Sequence, residues 1–224
     1  MEVLSFRGFL KVKTLPDGIG HISSLKSINL TGLKLLTVLP ETIGQLHSLH
    51  TLDLNNCSKL QKLPESLGDL AALKHLDVSS CFSLASLPEN IAALSQLKYL
   101  NFSGLRLLTK VPAGIGELTS LRTLDLSNCP LLAKLPSSIG NLAELLSCDV
   151  SYCNRLHALP DSFGQLQKLK TLNLEGCTDL KDLPATLVGV VSLKEVTVRG
   201  CAQGVLHSRV GNRMRVKNSV RIIR

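Results

Sequence analysis

The chain has 224 residues, a 44% hydrophobic content sufficient for one continuous core, and a formal charge of +8. With no Trp, two Tyr and five Phe that core is aliphatic, and near-identical branched side chains suit stacked identical layers better than an irregular globule. The charge is uneven: six Lys/Arg (Arg209, Arg213, Arg215, Lys217, Arg221, Arg224) follow His207 with no acid among them, so the rest of the chain is nearly neutral.

The first fourteen residues, MEVLSFRGFLKVKT, carry charges throughout and lack an apolar run of signal-peptide length. No later segment approaches the ~18 continuous apolar residues of a membrane span, so a soluble, cytoplasmic (intracellular) protein is expected. From Leu15 to Leu206 the chain repeats with a strict period of 24 residues. Eight units begin at Leu15, Leu39, Leu63, Leu87, Val111, Leu135, Leu159 and Leu183, without insertion or deletion, on the consensus LPxxIGxLxxLxxLxLxxCxxLxx. Residues 1–14 align with the last fourteen of a unit, placing Leu4 and Phe6 at the strand leucines and Phe9 at the cysteine position. The array therefore covers 1–206, with a partial repeat at 1–14 and full repeats over 15–206, and 207–224 is a basic C-terminal cap or tail.

Each unit changes character halfway. In Val111–Lys134 the residues Leu124 and Leu126 alternate with Thr123, Asp125 and Ser127, the period-two signature of a short strand with one buried face. The other half is a bend: Pro112 fixes φ and starts a short helical turn, Ile115, Leu118 and Leu121 are spaced by three, and Gly116 lets the chain pass closely. Five of the residues just after the proline are acidic (Asp17, Glu41, Glu65, Glu89, Asp161), which suits the positive end of such a turn.

A single unit cannot close a core, because its leucines face only its own loop. Stacked units share one, with parallel strands ~4.8 Å apart on an inner wall and bulkier turns splaying the outer wall. The repeat resembles a leucine-rich repeat. The fold this implies is an α/β solenoid, a horseshoe with a parallel β-sheet on the concave face and short 3-10 or helical turns on the convex face. The LxLxxCxxLxxLPxxIG form is similar to the repeats of plant intracellular immune receptors of the nucleotide-binding, leucine-rich-repeat type, and more distantly to Ras-group intracellular repeat proteins. It lacks the GxIP insertion of plant receptor-kinase ectodomains.

The cysteines Cys57, Cys81, Cys129, Cys153, Cys177 and Cys201 occupy one column, with Leu33 and Leu105 at the missing positions, while Cys148 stands at an inward strand position. They lack the paired short spacing of zinc sites, and stacked neighbours present parallel Cβ vectors, unsuited to disulfides. The expected role is a buried one, with weak S–H donors meeting loop carbonyls. Three outward columns line the inner wall. One is basic (Lys26, His50, Lys74, Lys98, Arg122, Lys170, Lys194, broken by Leu146), expected to complement the negative end of the preceding turn and to pair with the neighbouring Asp column. One is acidic or amide (Asn29, Asp53, Asp77, Asn101, Asp125, Asp149, Asn173), and one is varied (Ser27, Thr51, His75, Tyr99, Thr123, Ser147, Thr171, Glu195).

Recognition is expected where the varied column carries an aromatic and a titratable group. The candidate partner-binding residues are Lys74, His75, Asp77, Lys98, Tyr99, Asn101, Arg122, Thr123 and Asp125, a surface suited to a protein or peptide hot spot. Within Val111–Lys134, Arg122, Thr123, Asp125, Ser127 and Asn128 are expected to be free for a partner. There is no phosphate loop, metal-spaced His pair or nucleophile elbow, and no cofactor, metal, small-molecule substrate or enzymatic activity is expected. In the tail, Met214, Val216, Val220, Ile222 and Ile223 could form one more irregular strand covering the last unit. An exposed basic arm touching nucleic acid or acidic membrane is one alternative, though the chain offers no aromatic platform for bases, and a disordered tail is the other. The resemblance implies ligand or effector recognition, or autoinhibition, in plant-type innate immune signalling. The alternatives are a stand-alone intracellular scaffold or the substrate-binding part of a larger enzyme such as a ubiquitin ligase.

Overall fold

The computed structural model describes residues 2–206, 209–218 and 220–224; His207, where the tail was expected to begin, lies outside them. Within each unit the three-residue spacing of apolar side chains dictates the bend. Ile115 N donates to Pro112 O at 3.1 Å, Leu118 N to Ile115 O at 3.2 Å, and Leu121 N to Leu118 O at 2.9 Å. These bonds close three-residue turns, and side chains three apart then eclipse. Ile115, Leu118 and Leu121 accordingly all point inward and are fully buried. The proline stands just ahead of the 3-10 turn in each unit, as Pro112 does before Ala113–Glu117 with φ −62° and ψ 149°. An extended residue with a fixed φ and no N–H to satisfy is well suited to that place.

The other half of each unit forms a strand of three residues. These are β1 (Val3–Ser5), β2 (Ser27–Asn29), β3 (Thr51–Asp53), β4 (His75–Asp77), β5 (Tyr99–Asn101), β6 (Thr123–Asp125), β7 (Ser147–Asp149), β8 (Thr171–Asn173), β9 (Glu195–Thr197) and β10 (Arg221–Ile223). They make one parallel sheet in chain order, with β1 to β9 in register by whole units, so that Leu76, Leu100 and Leu124 pair across β4, β5 and β6. With the sheet on one wall and the 3-10 turns stacked on the other, the leucines between them form a single buried cluster that runs the length of the array. The fold is the expected leucine-rich-repeat solenoid.

The cysteine column lies inside. Cys57 Sγ donates to Leu30 O at 3.2 Å, and Cys153, Cys177 and Cys201 make the same bond to Leu126, Val150 and Leu174 at 3.2, 3.1 and 3.0 Å. Each thiol therefore ties its unit to the carbonyl that ends the strand of the unit before. Leu33 and Leu105, which hold the same column, are equally buried.

Just before that column runs another, which the consensus hides. Gly8, Gly32, Asn56, Ser80, Gly104, Asn128, Tyr152, Gly176 and Gly200, each 24 residues from the next, all have positive φ, from 56° to 92°. The chain turns here from strand to loop through the left-handed region, which for a side chain with a Cβ costs roughly 1–2 kcal/mol. Glycine avoids that cost and Asn softens it.

The two ends differ from expectation. Phe9, expected in the buried cysteine column, is 61% exposed and touches Phe6 edge-on, with ring centroids 6.1 Å apart, because β1 is the edge of the sheet. At the other end Met214 and Val216 lie on a helix, α2 (Arg209–Asn218), which follows the short helix α1 (Gln203–Leu206), and β10 carries only the residues after it. The reason is topological: β10 pairs parallel to β9, and a parallel neighbour needs a return connection of a dozen or more residues, usually a helix. Here α2 packs on the last 3-10 turn, Ala185–Gly189, with Met214 buried.

Candidate functional site

Strands β4, β5 and β6 set the nine candidate residues in a three-by-three block. Its rows are Lys74–His75–Asp77, Lys98–Tyr99–Asn101 and Arg122–Thr123–Asp125, and pairing places His75 beside Tyr99 and Tyr99 beside Thr123. The basic members stand where the chain enters the sheet. Lys98 O accepts from Arg122 N at 2.9 Å and Thr123 N at 3.1 Å, which fixes the main chain and leaves the Lys98 side chain exposed.

The centre of the block is an aromatic stack. The rings of His75 and Tyr99 are parallel within 1° and their centroids are 4.1 Å apart. The in-register spacing of parallel strands, ~4.8 Å, is close to ring-stacking distance, so two planar groups on adjacent strands stack without displacing either backbone. Tyr99 Oη accepts from Asn101 Nδ2 at 3.2 Å, and Asn101 Nδ2 also reaches Asp77 Oδ2 at 3.2 Å. Burial of the phenol raises the Tyr99 pKa above its ordinary value, opposed by the Asn101 bond. The stack is thus a half-buried plate braced from one side.

The acidic column has a structural duty. Asp77 Oδ1 accepts from Ser79 N at 2.8 Å, Asn101 Oδ1 from Ser103 N at 2.9 Å and Asp125 Oδ1 from Ser127 N at 2.8 Å, and Asn29, Asp53, Asp149 and Asn173 repeat the bond. These Asx turns end each strand. Burial pushes the Asp125 carboxyl up, against the Ser127 bonds that pull it down.

Two expectations are corrected here. Among the described residues no ion pair joins the basic column to the acidic one, because the carboxylates turn back onto their own chain two residues on; Lys26 pairs instead with Glu2, at 2.7 Å. Ser127 is buried at 8% exposure beside the Asp125 carboxylate and is not free for a partner. Arg122 and Thr123 do face outward, at the margin of the block.

Among the described residues no group of three or more His, Cys, Asp or Glu could hold a metal ion, and no helix is long and apolar enough to cross a membrane. Sequence reasoning overlooked Tyr152, which sits on the left-handed column and is 46% exposed. The signal was present, since tyrosine breaks a column otherwise filled by Gly, Asn and Ser, but it becomes legible only once the column's backbone conformation is known.

Comparison with known proteins agrees with this geometry. The family model described as a leucine-rich repeat region matches residues 76–158, and the leucine-rich-repeat model matches residues 48–70. The leucine-rich-repeat domain of the type III effector XopL superposes with a TM-score of 0.81 at 26% identity, over 99% of this chain and 75% of that one. The Arabidopsis receptor kinase HAESA, in its complex with the peptide hormone IDA and the co-receptor SERK1, superposes with a TM-score of 0.63 at 24% identity, over 90% of this chain and 38% of that one. No curated protein matches the chain in sequence. An unbroken 24-residue repeat, one parallel sheet backed by 3-10 turns, and these matches together give the chain the leucine-rich-repeat fold.

Proposed function

We propose that the protein is a non-enzymatic interaction module that binds a protein or peptide on its concave sheet, centred on Lys74, His75, Lys98 and Tyr99 and flanked by Asp77, Asn101, Arg122, Thr123 and Asp125. Its role is ligand or effector recognition, or autoinhibition, in plant-type innate immune signalling in the cytoplasm. The observation that carries the reading is the His75–Tyr99 stack, a pre-ordered aromatic plate with Lys74 and Lys98 exposed beside it. Rigid aromatic surface bordered by exposed cations gives contact area at low entropic cost, the chemistry of an interface hot spot. Likeness to the XopL repeat domain and to HAESA, itself bound to a peptide hormone, supports a peptide- or protein-binding role. Thiols engaged as donors to carbonyls, a use that oxidation would abolish, support a reducing compartment.

The test is selection of peptides from a displayed library on the wild-type chain, followed by affinity measurement on a variant with Lys74, His75, Lys98 and Tyr99 all changed to Ala. The variant is expected to fold, as read by circular dichroism, and to lose at least about thirtyfold in affinity, the scale of a hot spot of ~2 kcal/mol. Undiminished binding by the folded variant would place the partner elsewhere.

A further inference from the structure

Tyr152 does not fit the column it occupies. Its eight companions with positive φ are Gly, Asn or Ser, side chains that are absent or able to bond their own backbone, and tyrosine is neither. Packing does not call for it, since the residue is 46% exposed and its ring lies across Gly176, where a Cβ would come within 2.6 Å of it. Yet it is held in one position. Its hydroxyl donates to Glu175 Oε1 at 3.0 Å and its N–H to Glu175 O at 2.6 Å. The Asn154 amide nitrogen, turned toward them, reaches Tyr152 O at 3.1 Å and Gly176 O at 3.0 Å. A bulky side chain kept exposed, rigid and on disfavoured backbone is a feature that folding alone does not require.

Tyr152 is one wall of a cleft of about 490 Å³ on the rim, where the strands give way to the loops. Phe82 and Arg106 form the other wall, with the guanidinium carbon 4.2 Å from the ring centroid. Between them lie Gly104, which has no side chain to fill the space, and Asn128. No carboxylate lines the cleft; its charged member is Arg106, and the remaining polar groups are hydroxyls and amides. A guanidinium resting on an aromatic face is partly desolvated and oriented, which favours two-pronged binding of a carboxylate. A single cation is a weak footprint for a nucleic-acid strand, whose affinity comes from many phosphate contacts.

We propose that this rim cleft is a second binding site, separate from the concave block, which takes an acidic peptide segment: an Asp or Glu side chain on Arg106, with the flanking apolar or aromatic side chain against Tyr152. The inference rests on reading the chain as a peptide- or protein-binding module, and not on the concave block.

The test is an array of N-acetylated, C-amidated hexapeptides carrying one Asp or Glu beside a Leu, Phe or Tyr, each with its Asn or Gln twin, probed with the full chain at low salt. Acidic members are expected to bind at least tenfold better than their twins, and Arg106→Gln and Tyr152→Asn each to remove at least tenfold of that binding. Tyr152→Asn, which restores a residue type native to the column, should leave the urea midpoint unchanged or raised, as a strut would not. Because the chain has two tyrosines and no tryptophan, Tyr99→Phe leaves Tyr152 as its only phenol, and titration with the best acidic peptide should change that fluorescence. The proposal is overturned by the absence of an acid preference, by binding indifferent to Arg106→Gln, by a lowered midpoint with binding intact in Tyr152→Asn, or by displacement of the peptide by (dT)8 at lower concentration than its own. Binding lost in a His75→Ala, Tyr99→Ala variant but kept in Arg106→Gln would uphold the concave block and sink the cleft; the converse pattern would uphold the cleft.

Discussion

The convex bends and the rim carry glycine at the same 24-residue interval, for opposite reasons. On the convex side a Cβ built on Gly44 or Gly116 would stand 2.4 Å from the carbonyl oxygen of Ser66 or Ser138 in the next unit. The constraint is space, and it belongs to a pair of residues. Where Ala92 replaces the glycine, the residue facing it is Gly114, whose own Cβ would meet that of Ala92 at 2.8 Å. On the rim a Cβ on Gly104 would find nothing nearer than 3.5 Å, and the constraint is its φ of +75°. A limit on space must be met by the neighbour, whereas a limit on conformation is met within one residue and leaves the side chain free. That freedom is what admits Tyr152 on the rim, and its absence explains why the convex turns are so uniform.

Substitutions can break this contrast. Gly116→Ala is expected to destabilise by about 1–3 kcal/mol in urea denaturation, the usual cost of overpacking. Ser138→Gly in the same chain should recover part of it, by removing the Ser138 Cβ that would stand 2.7 Å from the new methyl while the carbonyl oxygen stays, as in the Ala92–Gly114 arrangement, and simple additivity of the two changes would refute the pairwise account. The cysteine column offers a test from the interior. Burial raises the Cys57 thiol from its ordinary 9.0 to about 11, and the same cause raises Cys81 and Cys177. An acid whose native pKa lies above its unfolded one stabilises the fold below the unfolded value and loses that contribution as pH rises toward the native value. Stability should therefore fall between pH 9 and 11 by up to about 1.4 kcal/mol per pH unit for such a thiol. Urea midpoints across that range should fall less steeply in Cys57→Ala. Smaller again, Gly104→Ala should cost roughly 1 kcal/mol through φ alone, with no compensating substitution in the next unit. Smallest of all, Lys74→Ala, on an exposed side chain that makes no ion pair among the described residues, should cost less than about 0.5 kcal/mol.

The sheet and the bends were legible because periodicity is a direct imprint of geometry. Leu124 and Leu126 two apart announce a strand, and Ile115, Leu118 and Leu121 three apart announce a 3-10 turn. The left-handed column was not legible, since Gly, Asn, Ser and Tyr share no polarity or size, only a tolerated φ. The Asx turns were hidden for a related reason: Asp125 reads as an exposed carboxylate until its bond to Ser127 N is seen. The alternation of Met214 and Val216 suggested a strand because two residues are too few to separate period two from a helix face, and the need for a return connection decided the matter. Of the candidate block, the rows and the neighbouring of His75 and Tyr99 followed from register, while the stacking of their rings depends on side-chain torsions that no residue pattern encodes.

The sheet bonds, such as Thr123 N to Lys98 O and Leu126 N to Asp149 O, join one unit to the next, as the thiol bonds do. A pull along the stack, from β1 toward β10, therefore loads these bonds a few at a time, across the strands, so that they peel and do not shear. Under tension the solenoid should pay out in equal steps of one unit, each freeing 24 residues or roughly 80 Å of chain. It would behave as a spring whose extension is counted in repeats.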